Sequence, residues 1–409
     1  MATFVPSLPA GATGTHPTMT SVSGARGATA PTGTDVAIRE VQDTMITFKP
    51  FQTPILTRLM TSGFGKKPSG NQKFEWQYSV LLPRTAVITL VGGATSEDNI
   101  TVTATDVWQV GTKCVVDSTG QVLIVDSIAG AQIDVTRVGA GNITAGTSVT
   151  VHFLGDSFEQ GSSSATAKSV NKAFEYNYCE ILKRSVHETR SKAATVEYGP
   201  EDFMRNKMDR MEEFKYDVEM TFIAGIRDDN TGFQNGSFSQ YESGGVLDTT
   251  ANFISSSYAY TDPMTESYFF DTFLIGAYSR GSNEKTLYAG NTLLSYINNY
   301  SKNTSTLQTQ VADKVYGVDI RKVVHNFGTL NLVWHPMLEG TIYGKKGILI
   351  DDAAGYLKYR YLSGNGINRD LQWEEFDFIK EQDGRKGQWI AECGVQVEGN
   401  PYHAILQPS

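Results

Sequence analysis

No stretch of about eighteen consecutive apolar residues occurs in these 409 residues, so the sequence offers no membrane-spanning helix. The N-terminus has no basic segment followed by an apolar one, which argues against a secretion signal. The sequons at Asn99, Asn142, Asn235, Asn299 and Asn303 are accordingly read as chance matches. Cysteine is scarce. Cys114, Cys179 and Cys393 are odd in number and far apart, with neither a CxxC pair nor zinc spacing, and are expected to be buried or neutral thiols in a reducing compartment. The six histidines follow no metal-ligand pattern. Charge is also low, at 19% of residues, and its balance is −9. A chain of that sign is a poor non-specific binder of nucleic acid.

Catalytic motifs are missing too. There is no HExxH and no GxSxG elbow. "GFGKKPSG" places Gly65 before Lys66 but lacks the spacing and the hydroxyl residue of a phosphate loop. "GNGINR", Gly364 to Arg369, has no third glycine. Cys179 and His187 stand eight residues apart, two turns on a helix and out of mutual reach. His335, before Pro336, reads as structural. No catalytic, cofactor-binding or metal-binding residue is therefore assigned. Five tryptophans and many other aromatics leave a carbohydrate-binding β-protein conceivable, but scattered aromatics are more often core. A glycan hydrolase would need a paired carboxylate that nothing here picks out.

What is present has a clear order. Residues 1 to about 35 are Gly, Ala, Thr, Pro and Ser with almost no charge, too little apolar surface to offset the entropy of ordering. "ITFKPFQTPILTRLM" suggests an extended piece and then a short helix over Thr53–Met60. "GFGKKPSGNQ" reads as a flexible loop. "KFEWQYSVLLP" alternates through Phe74, Trp76 and Tyr78, a strand with one buried face. Lys66, Lys67, Lys73 and Arg84 make this excursion basic. Residues 86–153 are rich in Val, Ile and Thr and are cut by glycine turns, the pattern of a small β-barrel or sandwich.

Gly199 to Ile226, "GPEDFMRNKMDRMEEFKYDVEMTFIAGI", reads as one unbroken helix of about seven turns, roughly 40 Å long. Gly199 and Pro200 suit its N-cap and first position. Met204, Met208, Met211, Lys215, Val218 and Phe222 recur at spacings of three and four, a stripe broken only by the lysine. On the opposite face Asp209, Glu213 and Asp217 form a ladder of like charge, each pair costing about 0.2–0.5 kcal/mol in isolation. Either solvent or cations from elsewhere must face it. Asp228, Asn230 and Gly232 read as a turn rather than a calcium loop.

Downstream the pattern is mixed α and β. Asp262-Pro263 should cap a helix carrying Tyr268, Phe269, Phe273 and Leu274, and Asn291 a second helix. A hairpin is expected around Asn326–Gly328. "GILIDDAAGYLKYRYL" reads as one strand, and the last forty residues end in two extended strands that should return to the long helix.

The sequence resembles the major capsid proteins of tailed bacteriophages, the Hong Kong 97 type fold. "TPILTRL", "KFEWQYSVL", the helix ending "FIAGI" and the closing "GVQVEGNPYHAI" look like a divergent phage capsid family, and the order of parts carries the likeness. The resemblance implies an α+β fold with an N-terminal arm (1–48), an E-loop (49–85, returning over 154–198 with a P-domain strand), a P-domain spine helix (199–226), an A-domain (227–372) and P-domain C-terminal strands (373–409). The β module at 86–153 departs from the minimal pattern as an insertion.

The resemblance further implies a subunit that tiles as hexamers and pentamers into an icosahedral or prolate shell around double-stranded DNA. Portal, scaffolding and decoration proteins would be partners, the DNA would be contacted weakly, and the protein would pass from host cytoplasm to virion. In this fold an E-loop lies across the neighbouring P-domain. Lys66, Lys67 and Lys73 of one copy are thus expected to approach Asp209, Glu213 and Asp217 of another. A tail or decoration component is the alternative, and it leaves the long helix without a purpose.

Overall fold

The computed structural model describes residues 53–61, 65–92, 96–102, 107–195, 202–229, 240–303, 309–311, 320–351, 355–376 and 383–409. The proposed caps Gly199 and Pro200, and Asn230 and Gly232, lie outside them, as do residues 1–52.

The long helix runs unbroken from Asp202 to Ala224, 23 residues or about 35 Å at 1.5 Å per residue. No proline or glycine interrupts it. Asp202 opens it, bound to Lys192 at 3.1 Å and to Arg205. The Lys192 ammonium beside it holds the Asp202 carboxyl below its usual range. Gly225 ends it: a Cβ there would lie 2.3 Å from the Ser243 carbonyl oxygen, so only glycine lets the chain turn under that strand of backbone.

The helix packs on a six-stranded sheet. Its main path runs Lys66–Ser69, Leu357–Gly364, Gly384–Val397, Glu180–Thr189, with Ile367–Asn368 and Gln372–Phe376 alongside. The shared core joins Phe214, Val218, Phe222 and Ile223 of the helix to Tyr359, Ala391, Cys393, Val395 and Val397. Of the two closing strands expected to return to the helix, Gly384–Val397 does so and Ala404–Pro408 joins a different sheet. The buried stripe is not the expected one, however. Phe203 is buried while Met204 and Met208 are 46% and 60% exposed. The reason is the pair Trp373 and Trp389, with ring centroids 5.2 Å apart. Trp389 donates to the Lys207 carbonyl at 2.9 Å, the Lys207 ammonium sits 4.5 Å from the Trp373 ring centre, and Phe203 meets Trp373 edge-on. These indoles turn positions 203 and 207, rather than 204 and 208, towards the sheet.

Two other expectations fail. "GFGKKPSGNQ" is no flexible loop at its centre: Lys66–Ser69 is an edge strand, parallel to Tyr359–Leu362, with Ser69 buried. "GILIDDAAGYLKYRYL" is two strands in two sheets, Gly347–Asp351 and Leu357–Gly364.

The second sheet has seven strands, ordered Ser257–Tyr260, Ala404–Pro408, Gly347–Asp351, Glu284–Ala289, Gly328–Trp334, Ile320–His325, Thr309–Val311. The His325↔Gly328 pair closes the hairpin over a two-residue loop. The helix expected after Asp262-Pro263 begins at Glu266 and opens into a wide π-helical turn over Tyr268–Leu274. Asp262 does not cap it; its carboxylate is held by Tyr296 at 2.7 Å and by Lys345. Phe269, Phe273, Leu287, Leu293 and Leu406 share the core here. Leu357–Gly364 lies in the helix-bearing sheet, and Ala404–Pro408 lies in the seven-stranded one.

A third sheet is antiparallel throughout: Thr85–Leu90, Gly146–Asp156, Thr112–Val116, Val122–Ala129, Gln132–Arg137, Glu97–Thr101. Each strand sends residues to one core, including Ile88, Ile100, Cys114, Leu123, Ile133 and Val151. A two-stranded ribbon brackets it, Lys73–Tyr78 antiparallel to Ala173–Tyr178.

Candidate assembly surface

The C-terminal half of the long helix receives the short helix Pro54–Thr61 on a buried carboxylate. Glu219 Oε1 and Oε2 accept from the Ile55 and Leu56 backbone N–H groups at 2.9 and 2.7 Å. His335 Nε2 lies 2.8 Å from Oε1, and both side chains are fully buried. The sequence reading of His335 as structural agrees with this, but Glu219 escaped it. The available signal was a single carboxylate inside the apolar run "VEMTFIAGI".

The acidic ladder is real and partly neutralised within the chain. Arg184 grips Asp217 with two bonds, Nε at 2.6 Å and Nη2 at 3.0 Å. That bond raises the already high Arg184 pKa. Glu213 pairs with Arg210 one turn back. Asp209 has no ion pair among the described residues. The lysines divide similarly. Lys66 pairs with Asp370 and sits 5.2 Å from the Tyr361 ring centre. Lys73 meets Glu75 at 2.7 Å, the bond that raises its pKa, and caps the Tyr176 ring at 4.2 Å. Lys67 is exposed, with no ion pair among the described residues. The chain itself does not bring the two sets together: every ion pair named here joins one set to residues outside the other. Lys67 and Asp209 are the members left open to an external partner.

Apolar side chains are exposed at many places, and two of them lie on the elements discussed here. At the ribbon, Tyr78, Val80, Leu81 and Phe174 face outward, Leu81 at 90%. On the long helix, Met204 and Met208 do so. Patches of this kind mark interaction surfaces. No group of His, Cys, Asp and Glu able to hold a metal occurs among the described residues, and no helix among them is long and apolar enough to cross a membrane.

The helix-braced sheet holds apolar and charged side chains outward on separate elements, a surface suited to association. The family is specific: the model of the SU10 major capsid protein family matches residues 18–408, and the chain belongs to that family. It is a shell-forming structural protein that assembles with copies of itself into a virion.

Solved structures with similar folds include the capsid of an empty GTA particle, 9% identical, covering 93% of this chain and 98% of that one, with a TM-score of 0.47. Another is the holo-SrpI encapsulin complex of Synechococcus elongatus PCC 7942, 11% identical over 58% and 77% of the two chains, TM-score 0.41. A third is Mycobacterium phage Patience, 10% identical over 63% and 77%, TM-score 0.38. No curated protein matches the chain.

Proposed function

We propose that this subunit tiles, as hexamers and pentamers of a Hong Kong 97 type shell, around packaged double-stranded DNA. The carrying observation is the family match over residues 18–408. The long helix Asp202–Ala224 serves as the spine of the P-domain, seated on the sheet that contains Gly384–Val397. Residues 1–48 form the N-terminal arm, and 49–85 with 154–198 form the E-loop and its return. The sheet of Thr85–Asp156, with its own core, is the inserted β domain expected at 86–153. The A-domain comprises the seven-stranded sheet within 227–372, completed by the returning strand Ala404–Pro408.

The assembly contact sets Lys66, Lys67 and Lys73 of one copy towards Asp209, Glu213 and Asp217 of the next, with Lys67 and Asp209 carrying most of the attraction. Portal, scaffolding and decoration proteins complete the list of partners, and the negative subunit holds DNA weakly. The protein works without a cofactor and without catalysis, and assembles in the host cytoplasm. Negative-stain imaging of the purified protein tests the reading. Closed particles of uniform size are expected; tubes, rings or isolated trimers would instead assign it to a tail or decoration role.

A further inference from the structure

The helix-bearing sheet has two edges of unequal character. Lys66–Ser69 closes one side with four residues, and Pro68 among them has no N–H to offer. Glu180–Thr189 closes the other with ten residues, without proline, glycine or bulge, in unbroken register with Gly384–Cys393. Backbone bonds just beyond its ends fix which way its groups point. Arg190 donates to the Asp383 carbonyl across the ladder, whereas Cys179 donates to the Gln72 carbonyl on the other side. Antiparallel ladders alternate, so Ile181, Lys183, Ser185, His187 and Thr189 turn their N–H and C=O groups outward. All five are exposed, and no strand among the described residues lies against them. An open row of this length is a template for a further strand.

We propose that the strand Glu180–Thr189 of one subunit pairs antiparallel with the same strand of a second copy, about a two-fold axis through Val186. The proposal rests on the self-assembling role read above. Two identical edges paired in this way form a closed, self-complementary contact. Charge chooses the register. With the axis at Val186, Ser185 faces His187 and Lys183 faces Thr189 in the hydrogen-bonded pairs. Between them Val186 meets Val186, and Arg184 meets Glu188 twice, in the pairs where side chains stand closest. Arg184 has a group to spare, since its bonds to Asp217 use Nε and Nη2 and leave Nη1. Moving the axis to Arg184 would set that guanidinium against its own copy and Glu180 against Glu188. Moving it to Ser185 would set Lys183 against His187 and leave Arg184 opposite Val186. The ladder ends at Thr189, whose hydroxyl caps the turn Arg190–Ala193. Both long helices then lie on one face of a continuous sheet.

The test mixes full-length Ser185→Cys and His187→Cys chains before assembly and oxidises them mildly; the native thiols are buried. Residues opposed in a hydrogen-bonded pair have Cα atoms about 5.5 Å apart, within reach of a disulfide. Ser185 to Ser185 and His187 to His187 are diagonals of about 7–8 Å. The mixture should therefore give at least about tenfold more cross-linked dimer than either chain alone. Equal yields, or none in the mixture, overturn the proposal, and so does efficient linkage of Lys183→Cys to His187→Cys chains. Hydrogen exchange gives an independent reading. The amides of Lys183, Ser185 and His187 should exchange at least about tenfold more slowly in particles than in isolated subunits, while those of Leu182, Arg184 and Val186 are slow in both. Protection of the first three already in isolated subunits would mean that another part of the same chain covers this edge, and would overturn the pairing. Closed particles without cross-linking would reject the pairing and leave shell formation standing. Cross-linked dimers that never close into particles would support the pairing and reject the shell.

Discussion

Glu219 Oε1 and His335 Nε2 lie 2.8 Å apart, with both side chains sealed from solvent. The same carboxylate holds two backbone N–H groups of the short helix. Removing it strands three buried donors at once. Glu219→Ala is expected to cost about 3–5 kcal/mol, read by denaturant unfolding, and to release the Ile55 and Leu56 amides to rapid exchange. Glu219→Gln keeps the shape but turns a donor towards donors, and should fall between alanine and the parent. Full protection of both amides in the alanine variant would contradict the role given to this carboxylate.

The charge contact is separable from folding because Asp209 and Lys67 have no ion pair among the described residues. Asp209→Lys should raise the concentration at which particles form several-fold at low salt, since exposed pairs contribute about 0–1 kcal/mol each. Adding Lys67→Glu should restore it. The harsher pair Glu213→Lys with Asp217→Lys should block assembly at low salt, though it also breaks the Arg184 bond. Light scattering across a salt series reads both, and normal assembly of the double variant at low and high salt refutes the pairing.

Acid should loosen the terminal strand. His403 is buried, its Nδ1 accepts from the Asp351 N–H at 3.1 Å and its Nε2 lies 2.8 Å from the Glu398 carbonyl oxygen. Burial pushes its pKa down to about 4, against about 6.5 in an unfolded chain. The folded state therefore refuses a proton that the unfolded state takes. The contribution is whole above pH 6.5 and drains away between 6.5 and 4, about 3 kcal/mol in all. Unfolding midpoints over that range should fall less steeply in His403→Gln than in the parent.

The three thiols should be inert in the folded protein. All are free and buried; burial lifts Cys114 and Cys179 to about 12 and Cys393 higher still. Alkylation at neutral pH should leave all three unmodified until denaturant is added. Rapid native labelling of Cys393, in the middle of the helix-bearing sheet, would overturn its placement.

The sheet of Thr85–Asp156 should melt on its own terms. Ile133→Ala, in its separate core, is expected to cost about 2–5 kcal/mol. Faster amide exchange should appear in Leu123–Val135 and not in Phe214–Ile223. Equal acceleration in both would mean one cooperative unit.

Long, local signals were legible in the sequence. The helix Asp202–Ala224 and the two-residue hairpin at Asn326–Phe327 depend on nearest neighbours, so periodicity and turn chemistry reach them. The stripe failed because its phase was set by Trp373 and Trp389, some 170 residues downstream. The strand Lys66–Ser69 was missed for the same reason: its ladder is supplied by Tyr359–Leu362, and "KKPS" has little strand character of its own. Among the charged residues, the sequence showed which signs cluster. It could not show that Arg184 already grips Asp217, since that contact is made across the fold.

Residues 384–408 place one strand inside each large sheet: Gly384–Val397 between Glu180–Thr189 and Leu357–Gly364, and Ala404–Pro408 between Ser257–Tyr260 and Gly347–Asp351. A nascent polypeptide that has not reached this stretch lacks an interior member of both. Neither half can close early, so incomplete chains emerging side by side from one messenger present no finished faces to each other. Late sewing of the two halves thus makes readiness to polymerise a property of completed subunits alone.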